Sequence, residues 1–177
     1  MIITLTDAQK LDENITQEDL DGIEHSVREL TKNNFQNKSV RYHIKVIEEP
    51  HTIKTTEIIR GIRIGDTVEL NYSRFNDGIY TVEEILQDGL KLAGEPLLYE
   101  NTGDMMVTLV SYPPDIKRGV KKLIQYDKKM SGKIGIKSET ISRMSTTYYD
   151  VNAAENIEGY PASLLSFLKK YERIRWG

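Results

Sequence analysis

The hydrophobic period of this chain switches twice, and that double switch constrains its fold more than any single motif. From Gln17 to Lys32 apolar residues recur at Leu20, Ile23, Val27 and Leu30, the three-and-four spacing of an amphipathic helix, with Glu24 inside the stripe. From Ser39 the period is two: Val40, Tyr42, Ile44 and Val46 alternate with Arg41, His43, Lys45 and Ile47. From Pro114 to Met130 the helical spacing returns, with Ile116, Val120, Leu123 and Ile124 at i, i+4, i+7 and i+8, and Asp127 at i+11. Side chains of period two line the faces of a sheet and those of period 3.6 line a helix, so the chain cannot be all of one kind. The expected class is α+β: a helical domain over residues 1–38 and 111–177, with a small antiparallel β-barrel or sandwich inserted over 39–110.

Local signals agree with the periods. Thr16 is a good N-cap with Asp19 three residues on, a variant of the capping box. Pro113 and Pro114 open the second long helix, where a missing N–H costs nothing. Asp115 then lies near that helix's positive end, and Lys128 and Lys129 near its negative end. Gly119 beside the apolar stripe weakens the helix by about 1 kcal/mol relative to Ala; its presence predicts another backbone passing close. Ile116, Val120, Leu123 and Ile124 are therefore expected to form the core helix, packed against Leu20, Ile23, Val27, Leu164, Leu165 and Leu168. In the β segment, Gly65-Asp66, Asn76-Asp77-Gly78 and Asp88-Gly89 read as turns between short strands at Thr67–Leu70, Ile79–Ile85, Leu90–Leu92 and Met105–Val110. Thr52 to Ile59 reads as a strand or an irregular edge. After Ser131-Gly132, the polar stretch from Lys133 to Tyr149 predicts a long projecting hairpin. Pro161 is expected to begin a last helix, with Leu164, Leu165, Leu168 and Tyr171 on one face.

Composition removes several kinds of chemistry. With 177 residues the chain can bury a core unaided, and with no cysteine it has no disulfide, thiolate ligand or thiol nucleophile. Net charge is −3, but it is unevenly spread: the first thirty residues are acidic, and Lys117, Arg118, Lys121, Lys122, Lys128, Lys129, Lys133 and Lys137 make a basic stretch. The three histidines, His25, His43 and His51, lack metal-ligand spacing. Asp19-Leu20-Asp21-Gly22 starts like a calcium loop, but Arg28 stands where a bidentate Glu is required. Gly132 to Ser138 starts like a phosphate loop, but Ile136 replaces the glycine before Lys137. Glu48-Glu49 and Glu83-Glu84 are adjacent within strands, so each pair points to opposite faces. No catalytic constellation emerges, and neither an enzyme, a cofactor nor a metal is expected. No run approaches the roughly 20 apolar residues of a membrane helix, and no signal segment is visible, so a soluble protein is expected.

Three stretches, in order, carry a family resemblance: Asp19-Leu20 through Ile23, Val27 and Leu30 to Thr31-Lys32-Asn33-Asn34-Phe35; Pro114-Asp115-Ile116-Lys117 through Val120, Leu123 and Ile124 to Tyr126; and Ile136-Lys137-Ser138-Glu139-Thr140-Ile141 with Thr147-Tyr148, followed by Gly159-Tyr160-Pro161, Leu164-Leu165, Leu168 and Tyr171. With these the chain resembles the head–tail connector (adaptor, or head-completion) proteins of long-tailed bacteriophages. The likeness covers roughly the first 35 and last 65 residues; the β segment departs from the shortest, all-helical members and is similar to an inserted barrel in some Gram-positive phage versions. The resemblance implies a structural virion protein of the neck, assembled in the host bacterial cytoplasm as a homo-oligomeric ring, typically a dodecamer. Such a ring docks under the portal protein, extends the DNA channel without gripping DNA specifically, and presents a surface to the next neck or tail-completion protein.

Within that frame Lys137, Ser138, Glu139, Thr147 and Tyr148 are candidates for an inter-subunit hairpin. The tail Tyr171, Ile174, Arg175 and Trp176 is a candidate interface with the portal or another ring partner, because Trp and Arg dominate interface hot spots; the competing reading folds Trp176 back onto its own domain. The alternative function is a nucleic-acid-binding module using the small barrel and the basic helix.

Overall fold

The structure, a computed structural model, describes residues 1–101, 103–131, 138–141, 144–147 and 156–174, with 138–141 and 144–147 described by their backbone. The fold is α+β: helices plus a six-stranded antiparallel sheet that closes into an irregular, barrel-like ring. The chain divides into two compact units, one of residues 34–111 with Met1 and one of residues 2–33 and 112–177.

The β unit contains β1 (Gln36–Glu48), β2 (Thr52–Thr55), β3 (Thr67–Asn71), β4 (Gly78–Leu86), β5 (Gly89–Ala93) and β6 (Met106–Val110). Their order around the ring is β1-β2-β5-β4-β3-β6. Closure depends on β1, which is 13 residues long and pairs β6 along its first half and β2 along its second. Register shifts between Asn37 and Arg41 and between Ile44 and Val46 bend it from one partner to the other, as bulges do. Gln36 faces Val110 across the β1–β6 ladder, so the chain enters and leaves this unit side by side. The interior is filled by Ile44, Ile47, Ile53, Val68, Leu70, Val82, Leu90, Leu92 and Val107, with Leu97 and Met105 contributed from outside the strands. Thr52–Ile59 shortens to β2, because Thr55 Oγ1 turns to the Glu57 carbonyl at 2.8 Å and the pairing stops. Gly89, read from the sequence as a turn residue, is the first residue of β5; a Cβ there would lie 2.0 Å from the Ile53 carbonyl oxygen. Close approach of β2 is what demands a glycine.

The helical unit contains α1 (Leu5–Gln9), α2 (Gln17–Thr31), α3 (Pro114–Met130), a hairpin of β7 (Ser138–Ile141) and β8 (Met144–Thr147), a two-residue ladder of β9 (Asn156–Ile157) and β10 (Tyr160–Pro161), and a 3₁₀ helix, α4 (Ser166–Tyr171). The capping box forms, Thr16 Oγ1 accepting from Asp19 N–H and Asp19 accepting from Thr16 N–H. Ile116, Val120, Leu123 and Ile124 are all buried, as are Leu20, Val27, Leu165 and Leu168. Ile23 and Leu164, expected in the same core, are only half-buried.

The last helix differs from expectation. Pro161 belongs to β10, held by a tight turn in which Glu158 and Gly159 both take positive φ, 52° and 81°. The chain then makes successive i to i+3 turns, Leu164 N–H to Pro161 O and Leu165 N–H to Ala162 O, which lead into α4. Gly119 also differs. Its neighbour is the Phe167 ring rather than a backbone, and a Cβ at Gly119 would meet that ring at 2.3 Å. Gly119→Ala is therefore expected to destabilise by about 1–3 kcal/mol through overpacking, despite the helix propensity gained. In a Phe167→Ala background the same change should instead stabilise by about 1 kcal/mol. Urea unfolding of the four proteins checks the reversal; equal effects in both backgrounds would disprove the contact.

Candidate functional site

α2 and α3 run antiparallel, and their ends are tied differently. At one end, the C-terminus of α2 meets the N-terminus of α3. There Tyr112 OH donates to Glu24 Oε1 at 3.0 Å, and Arg28 Nη1 donates to Glu24 at 2.7 Å and to Tyr112 at 3.2 Å. The α4 segment closes the same end: Tyr171 OH donates to Asp115 Oδ1 at 2.6 Å, Asn33 Nδ2 donates to the Tyr171 carbonyl at 3.3 Å, and Arg173 N–H donates to the Thr31 carbonyl at 2.9 Å. Lys170 pairs with Asp115. The hydrogen bonds from Lys170 and Tyr171 hold the Asp115 carboxyl at about 2, so the pair is intact above that pH and is released as pH falls through it.

Along the helix pair, from Leu30 near the end of α2 to beyond its start, runs a cleft of about 520 Å³. Its floor is apolar, made by Ile23, Val27 and Leu30 of α2, Leu123 and Ile124 of α3, and Leu165 and Leu168. Its rim is acidic: Asp12, Glu18, Asp19, Asp127 and Glu158. Asp127 is the last position of the α3 stripe. Its carboxyl accepts from Tyr160 OH at 2.6 Å, and the Tyr160 ring lies 5.9 Å from that of Tyr126. Desolvation in the cleft raises the Asp127 pKa above its ordinary value against that hydrogen bond, and the negative charges of Asp19 and Asp12 add to the rise. Burial pushes the Tyr160 hydroxyl up as well, and Asp127 reinforces it. Asp12, Asp19 and Asp127 thus border a single opening, and the charges of the first two bear on the third.

The residues singled out from the sequence are dispersed. Ile116, Val120, Leu123 and Ile124 are structural, and only Leu123 and Ile124 reach the cleft. The basic residues Lys117, Arg118, Lys121 and Lys122 are exposed along α3. In the hairpin, Ser138 faces Thr147 and Glu139 faces Thr146 across an antiparallel ladder, while Lys137 and Tyr148 lie outside the described residues. So does the loop-like stretch before Ser138 that begins at Gly132. In the tail, Tyr171 is bound within its own unit, Ile174 is 83% exposed, and Arg175 and Trp176 lie outside the described residues.

The β unit offers a second surface. Tyr72, Phe75, Leu98 and Tyr99 are exposed in two loops. Those loops are tied together by buried Asn76, which donates to the Leu98 carbonyl at 2.9 Å, and by Glu100, which accepts from Arg74 N–H at 2.8 Å. Among the described residues no group of three or more His, Asp or Glu is arranged to hold a metal ion, and no helix is long and apolar enough to cross a membrane.

No protein-family model matches this chain, and no curated protein matches it.

The cleft was hidden in the sequence, though one signal for it was present. A carboxylate that falls on the apolar stripe of a helix, as Asp127 does, must face either a buried partner or an opening. Glu24 carried the same signal within α2 and is enclosed among its partners; Asp127 holds Tyr160 at the edge of the opening.

Proposed function

We propose that this chain is a structural virion protein, a head–tail connector that forms a ring under a portal, extends the DNA channel and joins capsid to tail, with no catalytic role. The observation that carries this reading is the β7–β8 hairpin, a two-stranded sheet whose strands pair with each other and with no third strand among the described residues. Two strands by themselves are marginally stable in water. Such a hairpin gains most when it adds to, or packs on, a neighbouring subunit, and contacts of that head-to-tail kind close into rings. The exposed aromatic loops of the β unit suit contact with a further neck protein, since large apolar side chains grouped at a surface mark interaction sites. The resemblance of the helical segments to adaptor proteins points the same way.

The exposed row Lys117, Arg118, Lys121 and Lys122 favours a second reading, a nucleic-acid-binding module. Imaging by negative stain, with mass measurement, of the full chain alone and with the portal of its own virion separates the two. Closed rings, or a complex with the portal, are the expected result. A monomer that ignores the portal yet binds DNA with steep salt dependence would replace this reading by the second.

A further inference from the structure

We infer that the acid-rimmed cleft between α2 and α3 receives the Arg173-Ile174-Arg175-Trp176 segment of a second copy of this chain. Charge and polarity match on both sides. The cleft offers an apolar floor of Ile23, Leu30 and Leu123 beneath the carboxylates of Asp12, Glu18 and Asp127. The segment alternates two arginines with two large apolar residues, and Ile174 stands 83% exposed where the segment leaves its own unit. An alternating strand of this kind can set Ile174 and Trp176 on the floor while both guanidinium groups meet the rim.

Geometry directs the contact to another copy. Arg173 is anchored by its N–H to the Thr31 carbonyl, at the C-terminal end of α2. The rim residue Asp19 lies twelve positions back along that helix, about 18 Å away at the helical rise. Arg175 follows Arg173 by two residues, and its Cα can advance only about 7 Å even when fully extended. That Cα stays about 11 Å short of Asp19, so the chain's own Ile174-Arg175-Trp176 cannot lie along the acidic end of its own cleft. A tail that leaves one copy at the closed end of the helix pair and enters the next copy at the acidic end is a heterologous contact, the type from which rings are built. The inference deepens the ring reading and rests on it only for the closure of these contacts around an axis.

Trp176 is the only tryptophan in the chain, which makes it the probe. The full-length Trp176→Ala protein contains no indole, and a synthetic peptide of residues 169–177 is titrated into it while peptide fluorescence is followed. A saturable blue shift is expected. In the same background Asp12→Asn, Glu18→Gln and Asp127→Asn together keep the shape and hydrogen-bonding capacity of the rim but remove three charges. They are expected to weaken binding by about tenfold or more and to flatten its salt dependence. No saturable binding, or equal binding by the neutralised variant, overturns the inference. A dilution series of the wild-type chain supplies the other arm. Emission that moves to the red on dilution agrees with docking between copies. Blue-shifted emission from a chain that mass measurement shows to be monomeric at the same dilution would mean that the tail folds onto its own unit, and peptide binding to the portal but not to this chain would make the portal the acceptor; either overturns it. Rings without peptide binding would leave the ring reading standing alone, and peptide binding without rings would do the reverse.

Discussion

Arg28→Ala is expected to cost about 3–5 kcal/mol of stability, the range for removing one partner of a buried ion pair. The cause is the setting of Glu24. That residue is 8% exposed, yet its carboxylate accepts from Ile2 N–H at 2.8 Å, from Arg28 at 2.7 Å and from Tyr112 OH at 3.0 Å. It therefore ties the N-terminal arm, α2 and the start of α3 into one node. Deleting the guanidinium removes a charge-assisted contact of 2.7 Å from a desolvated carboxylate. Burial, reinforced by Glu24, pushes the Tyr112 hydroxyl above its ordinary range, so it stays a neutral donor. The double replacement Glu24→Leu with Arg28→Met should recover most of the loss, because a buried pair exchanged for apolar groups of similar volume is often neutral. Urea unfolding of the three variants measures this. A loss below about 1 kcal/mol for Arg28→Ala would mean that the pair behaves like an exposed one.

Ile116→Ala and Leu123→Ala should both fall in the range of about 2–5 kcal/mol for truncating a buried aliphatic side chain, but not at the same point in it. Ile116 is fully enclosed, so the void left by its side chain has no outlet and stays empty; its cost belongs near the upper end. Leu123 is equally buried by area but forms part of the cleft floor. Removing it enlarges an existing opening rather than creating a closed void, which places its cost near the lower end. Thermal and urea melts of the two variants test the order. If Leu123→Ala were the more damaging, the cleft would have to be closed in solution, and a tail could not enter it without rearrangement.

Much of the chain was legible because local rules act on neighbours in sequence. The capping box at Thr16 and Asp19, the proline start of α3, and the two hydrophobic periods are decided within a few residues, where sterics and hydrogen-bond geometry leave few alternatives. The four α3 residues Ile116, Val120, Leu123 and Ile124 are buried for that reason. Other features depend on which segments meet, and no local rule contains that. The strand order β1-β2-β5-β4-β3-β6 follows from the bends that let β1 pair on two sides. Gly119 signalled close packing, but only the fold shows that an aromatic ring fills the space. The segment after Pro161 has helical spacing of leucines. Yet the β9–β10 turn and the anchoring of Tyr171 and Arg173 to Asp115 and Thr31 fix both of its ends, and it winds as tighter i to i+3 turns between them.

Those anchors also move the place where the tail can be called free. Judged from sequence it begins after Lys170, whereas the structure binds Tyr171 and the backbone N–H of Arg173, so only the Arg173 side chain and the segment from Ile174 onward can leave without disturbing the helical unit. The sequence by itself determined the α+β class, the two long helices, the main strands of the β unit in outline and the core face of α3, because each is a matter of period and of caps. Tertiary structure alone decided whether a carboxylate on an apolar stripe is enclosed by its partners, as Glu24 is, or stands at an opening with one partner beside it, as Asp127 does with Tyr160. That choice belongs to the surfaces brought together around each residue, and those surfaces lie far apart in the chain.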